Sequence, residues 1–388
     1  MARSRRRRWA STFSILAIAT AASVVPAHAA APRLTFRAVV ANASFPTNLA
    51  FASDGRAFFT EKDTGAIRVI DANGSVSPTP FATLPVDGGG EMGLLGLALH
   101  PDFDANPWVY AYYSDARDGH NHLVRIRDDG SVGGAPENLL TLLPTVNGYH
   151  NGGDLAFGDD GTLFVAVGEG HVQDRAQDVG NLGGKILRVN DDGTIPSDNP
   201  FGADSPVYAM GIRNSFGLCV SHDGTLWETE NGPEEWDELN RIEPGGNYGW
   251  PNHLGPGADD GFVPPVFAWR DVVVPTGCAV DPNGSIYVGD FHGNLHLLSF
   301  PSAGRSVGPS SGASSGSATP TDAIVARFDA GITDIERSPD GRLYVVTSNG
   351  IWARSGATSG GPFTPAGVVV LIGLLALLYV TRRRLGGR

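Results

Sequence analysis

Helical patterning is nearly missing from this chain of 388 residues. Between Leu34 and Arg354 no 3.6-residue rhythm of apolar positions develops, because 52 glycines and 27 prolines interrupt every stretch first. What remains is an all-β chain. Basic residues are also few: 28 lysines and arginines stand against 41 aspartates and glutamates, for a formal net charge of −13. Nine of the arginines lie at the two ends (3, 5, 6, 7, 8 and 382, 383, 384, 388), so the middle of the chain carries −22. No nucleic-acid partner fits that charge. Cysteine is limited to Cys219 and Cys278, which could form one bridge in an oxidising compartment or stay as two buried thiols. No H-E-x-x-H, G-x-S-x-G or P-loop string occurs, so zinc proteolysis, α/β-hydrolase chemistry and nucleotide hydrolysis have no support.

The ends read as targeting segments. A basic run, an apolar stretch and the small-residue site Ala27-His28-Ala29 predict a signal peptide over 1–29. At the other end the uncharged run Phe363–Thr381 is long enough to cross a hydrocarbon core, and Arg382, Arg383 and Arg384 follow at once. The expected organisation is therefore a propeller domain over 33–354, a linker over 355–362, a transmembrane helix over 363–381 and a basic cytoplasmic tail over 382–388. The domain would be exported, on an extracellular or periplasmic face, and held to the membrane by the C-terminal helix.

The fold is announced by a repeat. "FASDGRAFFTE" at 51 recurs as "FGDDGTLFVAV" at 157, "VSHDGTLWETE" at 220, "VDPNGSIYVGD" at 280 and "RSPDGRLYVVT" at 337, and the longer variant "LHPDFDANPWVYAYYS" at 99 fills the gap. Each copy is a tight Asx-Gly-type turn followed by alternating apolar residues, the pattern of a hairpin with a half-buried strand. Six copies at a spacing of roughly fifty to sixty residues leave room for four strands each, which suits propeller blades. The expectation is a six-bladed β-propeller in which the N-terminal "LTFRAVV" completes the last blade. Residues 302–319, rich in glycine and serine, read as a surface loop.

Four segments beside the repeats carry the chemistry: "GGGEMGLLGLALHPDF" (88–103), "YHNGGDLAFG" (149–158), "MGIRNSFGL" (210–218) and "TENGPEEWDELNRIEPGGNYGWP" (229–251). With "GNLGGKILRVNDDGTIPSDNPF" (180–201) they resemble, over residues from about 45 to 350, the soluble quinoprotein glucose/sorbosone dehydrogenases, also called aldose sugar dehydrogenases. That resemblance implies a propeller that binds pyrroloquinoline quinone (PQQ) with calcium, oxidises an aldose to its lactone and passes the electrons to an external acceptor. It also implies residue roles. His150 matches the catalytic base, and Arg213 and Asn214 match the pair lying against the quinone. Gly232 and Pro233 match the carbonyls that hold its calcium, and Glu91 falls near the cofactor. Asp237, Glu238 and Tyr248 fall where some members bind further calcium.

Elementary chemistry is consistent with these roles. An imidazole titrates near neutral pH and can take a hydroxyl proton while hydride leaves the same carbon. Calcium takes six to eight oxygen ligands, which carbonyls of a tight Asn-Gly-Pro turn can help supply. The resemblance departs at the cations. PQQ is a tricarboxylate, and where family members place lysine and arginines this chain reads "VGDFHGNL" and "AGITDIERSPDG", with His292, Gly331 and Thr333. The nearest cations on offer are Arg213, His292 and Arg337. Two other readings stay open: a non-catalytic, calcium-stabilised propeller binding a carbohydrate or protein partner, and a calcium-dependent lactonase. His150 would then be a loop residue, Asp237 and Glu238 surface carboxylates, and Arg213 an ion-pair partner.

Overall fold

The repeated turns join the first strand of each sheet to its second. In the computed structural model, which describes residues 33–356 apart from 131, 258–260 and 301–319, six four-stranded antiparallel sheets follow one another along the chain. Their first strands are Leu49–Phe51, Leu94–Leu99, Gly152–Phe157, Ser215–Val220, Pro275–Val280 and Ile332–Arg337. These pack against one another around a central axis, and the other strands of each blade step outward. The turn glycines 55, 161, 224, 284 and 341 all have φ between +79° and +89°, a region that suits glycine. The preceding side chain closes the turn: Asp160 Oδ1 accepts from Thr162 N at 2.9 Å, and Asn283 Oδ1 from Ser285 N at 2.8 Å.

The ring closes as expected. The strand Phe36–Ala41 pairs antiparallel with Gly350–Arg354, from Phe36 opposite Arg354 to Ala41 opposite Gly350, and so forms the outer edge of blade 6. One blade is thus built from both ends of the domain. Among the described residues the only helix is a short 3₁₀ turn, Gln173–Gln177, and no helix is long and apolar enough to cross a membrane. The expected signal peptide (1–29), transmembrane helix (363–381), basic tail (382–388) and surface loop (302–319) lie outside the described residues.

Large side chains fill the wedges between blades. Phe58 meets Phe81 and Phe103 edge-on, with ring centroids 5.2 and 5.9 Å apart. Tyr110 and Tyr112 are fully buried and send their hydroxyls to Asp191 O (2.9 Å) and Asn151 O (3.0 Å). Burying such a side chain contributes about 1.5–3 kcal/mol. Polar stitches tie neighbouring inner strands: Thr229 Oγ1 donates to Thr276 O (2.6 Å), and Thr276 Oγ1 to Ile332 O (2.9 Å). Cys219 and Cys278 form a disulfide between the inner strands of blades 4 and 5, deciding between the alternatives the sequence left open.

The axis is hollow at both ends. One cavity of about 360 Å³ opens where the inner strands begin, and another of about 370 Å³ lies toward their far ends. Asn48 and Asp154 line both.

Candidate active site

Inner strands begin, and second strands end, on the same face of the ring, so residues far apart in sequence meet there. His150 immediately precedes the inner strand of blade 3, and Arg213 and Asn214 that of blade 4. Glu91 lies in the approach to the inner strand of blade 2. Glu169 follows the second strand of blade 3 (Leu163–Val167), and Glu230 ends that of blade 4 (Leu226–Glu230).

His150 is held in an unusual backbone conformation, φ +58°, which costs a non-glycine residue about 1 kcal/mol or more unless its surroundings enforce it. They do. Its N–H donates to Glu91 Oε2 at 2.8 Å, and its carbonyl accepts from Gly170 N at 3.0 Å. Gly168 permits this approach, since a Cβ there would lie 2.3 Å from the His150 carbonyl oxygen. The ring is 7% exposed, and its Nδ1 lies 2.5 Å from Oε1 of Glu169, itself 2% exposed. With Glu169 as a carboxylate, Nδ1 donates and Nε2 is the basic nitrogen. Nε2 has no hydrogen-bond partner among the described residues. The His171 ring stands edge-on at 4.1 Å, and a cavity of about 420 Å³ is lined by His150, Glu169, His171, Arg213, Pro233 and Trp250 with neighbouring loop residues.

The Arg213-Asn214 pair is fixed from below. Glu230 accepts from both backbone N–H groups, at 2.8 Å from Arg213 and 2.7 Å from Asn214. Asn214 Nδ2 then reaches Glu91 Oε2 at 3.1 Å, so Glu91 joins His150 and Asn214 through one oxygen. Arg213 Nη1 donates to Asn231 O at 2.8 Å, and its guanidinium lies 5.4 Å from the centre of the Trp250 ring.

The residues expected to bind calcium divide into two kinds. Asp237 spends both oxygens on backbone, accepting from Gly232 N (2.8 Å), Val273 N (2.7 Å) and Val274 N (2.8 Å). It shapes the Gly232-Pro233 turn. The Tyr248 hydroxyl is likewise engaged, donating to Arg241 O at 2.6 Å and accepting from Glu243 N at 2.8 Å. Glu238 differs. It lies in a buried group with Glu228, Glu230 and Asn240, where Asn240 Nδ2 bridges Glu228 (3.1 Å) and Glu238 (3.2 Å) and Gly255 N donates to Glu238 at 2.8 Å. Glu228 Oε1, Asn240 Oδ1 and Ser215 Oγ have no hydrogen-bond partner. Burial pushes the Glu230 carboxyl up to about 8, and burial with the neighbouring Glu230 charge lifts Glu228 well above the carboxylate range. Oxygens without donors, in a site that burial keeps reluctant to ionise, suit a hard cation.

The cation expectations need correction. Arg337 is at the far end of the axis, where its guanidinium pairs with Asp281 and donates to Val280 O. His292 is exposed and turns Nδ1 toward Val273 O at 3.0 Å, off the walls of both axial cavities. Thr333 lines the mouth and donates to Pro46 O. The cation at the mouth is instead Lys62, one of only two lysines in the chain, 2.6 Å from Asp63 Oδ1, 2.9 Å from Gly88 O and 5.1 Å from the Phe45 ring centre. Phe45 and Phe291 stack beside it with centroids 6.4 Å apart, and Tyr149 and Phe216 complete an aromatic rim.

Sequence reasoning missed Glu169, Glu230, His171 and Lys62. A signal for two of them was present: second strands end in Glu61, Glu230 and Asp290 in three blades, and Lys62 directly follows the first of these.

Compared with known proteins, residues 43–353 match the family model described as glucose/sorbosone dehydrogenase. The aldose sugar dehydrogenase of Escherichia coli (strain K12) is 34% identical over 259 residues, covering 60% of this chain and 70% of that protein. The quinoprotein glucose dehydrogenase B of Acinetobacter calcoaceticus is 34% identical over 261 residues, covering 58% of this chain and 54% of its own length. Among solved structures, the PQQ-bound aldose sugar dehydrogenase of Streptomyces coelicolor superposes with a TM-score of 0.70 at 31% identity, covering 84% of this chain and 99% of the other.

Proposed function

The chain belongs to the glucose/sorbosone dehydrogenase family, and on that premise we propose that it oxidises aldose sugars to lactones with PQQ and calcium at the cell exterior. The observation that carries this reading is the buried His150–Glu169 pair beside the Arg213-Asn214 pair. Two relatives named for aldose and glucose dehydrogenation support the reaction class. Export and the C-terminal anchor rest on the sequence alone.

The residues fit a flat, anionic, tricyclic quinone. The mouth cavity of about 360 Å³ is within the range of small-molecule sites, and its aromatic rim offers faces for a planar ring system. Lys62 and Arg213 are the cations within reach of its carboxylates, replacing the absent basic clamp. Gly232 and Pro233 would turn carbonyls to its calcium, and Glu238 with Glu228 and Asn240 would hold a further ion. When bound, the quinone supplies the electrophilic carbon that takes hydride from the sugar's anomeric carbon.

The chain's own residues do the rest. His150 Nε2 accepts the anomeric hydroxyl proton as the C–H bond breaks. Glu169, on the opposite ring nitrogen, fixes the tautomer and stabilises the imidazolium that forms. Glu91 and Glu230 hold His150, Arg213 and Asn214 in mutual register. An external electron acceptor then restores the oxidised cofactor.

Equilibrium PQQ binding to the purified protein tests the reading, with calcium present and quinone fluorescence or absorbance as readout. Arg213→Ala and Lys62→Ala should each weaken binding about tenfold, the effect of losing one charge-assisted hydrogen bond. Substitution of the exposed Arg241 should change nothing. A protein that binds no PQQ and oxidises no aldose would replace this reading with the non-catalytic display propeller.

A further inference from the structure

The search for ligands need not end at the mouth. Where the inner strands of blades 1, 3 and 6 face the axis, Asn48, Asp154, Asp334 and Glu336 line the second axial cavity. Asp154 accepts from Asn48 Nδ2 (2.9 Å), Leu155 N (2.9 Å) and Leu218 N (2.6 Å). Asp334 accepts from Leu49 N (2.9 Å) and Ile335 N (2.7 Å), and Glu336 from Arg337 N (2.9 Å). Every one of these donors is a neutral amide. The nearby guanidinium of Arg337 is committed to Asp281.

Two ionised carboxylates offer about eight acceptor positions between them, and Asp154 and Asp334 use five. Asn48 adds an independent sign. Its side chain is 5% exposed, its amide nitrogen is fixed on Asp154, and its carbonyl oxygen, on the wall of the cavity, meets no donor. A buried carbonyl oxygen beside carboxylates, all short of donors, is a set of hard oxygen ligands. Desolvation also pushes Asp154 up to about 6, and desolvation with the charges of Asp154 and Glu336 lifts Asp334 well above the carboxylate range.

We propose that the axial channel holds a second, structural site for a hard divalent cation of the calcium type, bound by Asn48 Oδ1, Asp154 and Asp334, with Glu336 and water completing the shell. The ion would tie blade 6, the blade made from both ends of the domain, to blades 1 and 3. It lies apart from the Glu238 group of blade 4 and needs neither PQQ nor sugar.

The test uses terbium as the calcium stand-in on crystals of the wild-type protein without quinone or sugar. An anomalous peak between Asn48, Asp154 and Asp334 is expected, separate from any peak at Glu238. In solution, calcium titration of metal-stripped Asp334→Asn and Asn48→Ala should show at least a tenfold loss of affinity at one site, with binding at the Glu238 group unchanged. Crystals with no peak in the channel at saturating terbium would overturn the proposal, and would mean that a proton or water serves those oxygens. Because no redox step enters either measurement, this outcome is independent of the dehydrogenase reading.

Discussion

Blades 4 and 5 bury carboxylates at matching places and treat them in opposite ways. The second strand of blade 5 (Ile286–Asp290) ends in Asp290, as that of blade 4 ends in Glu230. On the third strand, His296 stands opposite Val288, and Asn240 stands opposite Glu228, so His296 and Asn240 hold the same register position. In blade 5 the imidazole lies between Asp290 (3.2 Å) and Asp322 (2.9 Å). Burial alone would push His296 down, but the two carboxylates outweigh it and hold the ring protonated, up to about 9. In blade 4 a neutral amide replaces the cation, and Glu228 and Asn240 each keep an oxygen without a donor. Blade 5 closes its charge internally. Blade 4, which also positions Arg213 and Asn214, leaves room for a charge from outside.

Breaking the closed side should cost most. His296→Leu strands Asp290 and Asp322 without their cation, and loss of one partner of a buried pair costs about 3–5 kcal/mol, seen as a lowered melting temperature. A variant as stable as wild type would mean that the pair is not charged as described.

The pH dependence sharpens the same contrast. Glu230, up at about 8 in the fold against 4.5 when unfolded, binds protons more tightly in the native state. Its contribution is therefore fully present below pH 4.5 and lost as pH rises through 8, a fall on the order of 3 kcal/mol in metal-free protein. His296 follows the same sign in a higher window, contributing below 6.5 and losing that contribution as pH passes 9. Calcium should flatten the first fall and leave the second. Melting curves in chelator and in calcium across pH 5–10 check both, and identical curves would remove calcium from blade 4.

Asn240→His transplants the internal cation into blade 4. It should reduce the calcium-dependent rise in melting stability by about 1–2 kcal/mol, because the imidazolium competes for the same carboxylates. Smallest of all is the exposed Arg241–Glu243 pair at 2.6 Å on the same blade. Arg241→Ala should cost under about 1 kcal/mol, and a larger loss would show that surface pairs matter here as much as buried ones.

How much of this was legible in the sequence follows from how local each signal is. The six turns and their alternating strands are local, so the ring and its closure by the N-terminal strand could be read directly. His150, Arg213 and Asn214 lie in strings with their own glycines and asparagines, and they do meet. Glu169 and Glu230 are single carboxylates whose meaning appears only when the fold brings them to His150 and Arg213. The aromatic mouth draws on positions 45, 149, 216 and 291, from four separate segments of the chain. Arg337 was misplaced for a geometric reason. It lies four residues beyond Thr333 on one extended strand, which at about 3.3 Å per residue carries it some 13 Å down the axis to the other opening.

The central claim is tested most directly by the reductive half-reaction. PQQ-loaded protein with calcium is mixed with an aldose, and reduction of the bound quinone is followed by absorbance in wild type and His150→Ala. The wild type should reduce its quinone, and His150→Ala should do so about a hundredfold more slowly or worse while binding PQQ equally well. Equal rates in the two proteins, or a wild type that binds PQQ and is never reduced by any aldose, would contradict the account.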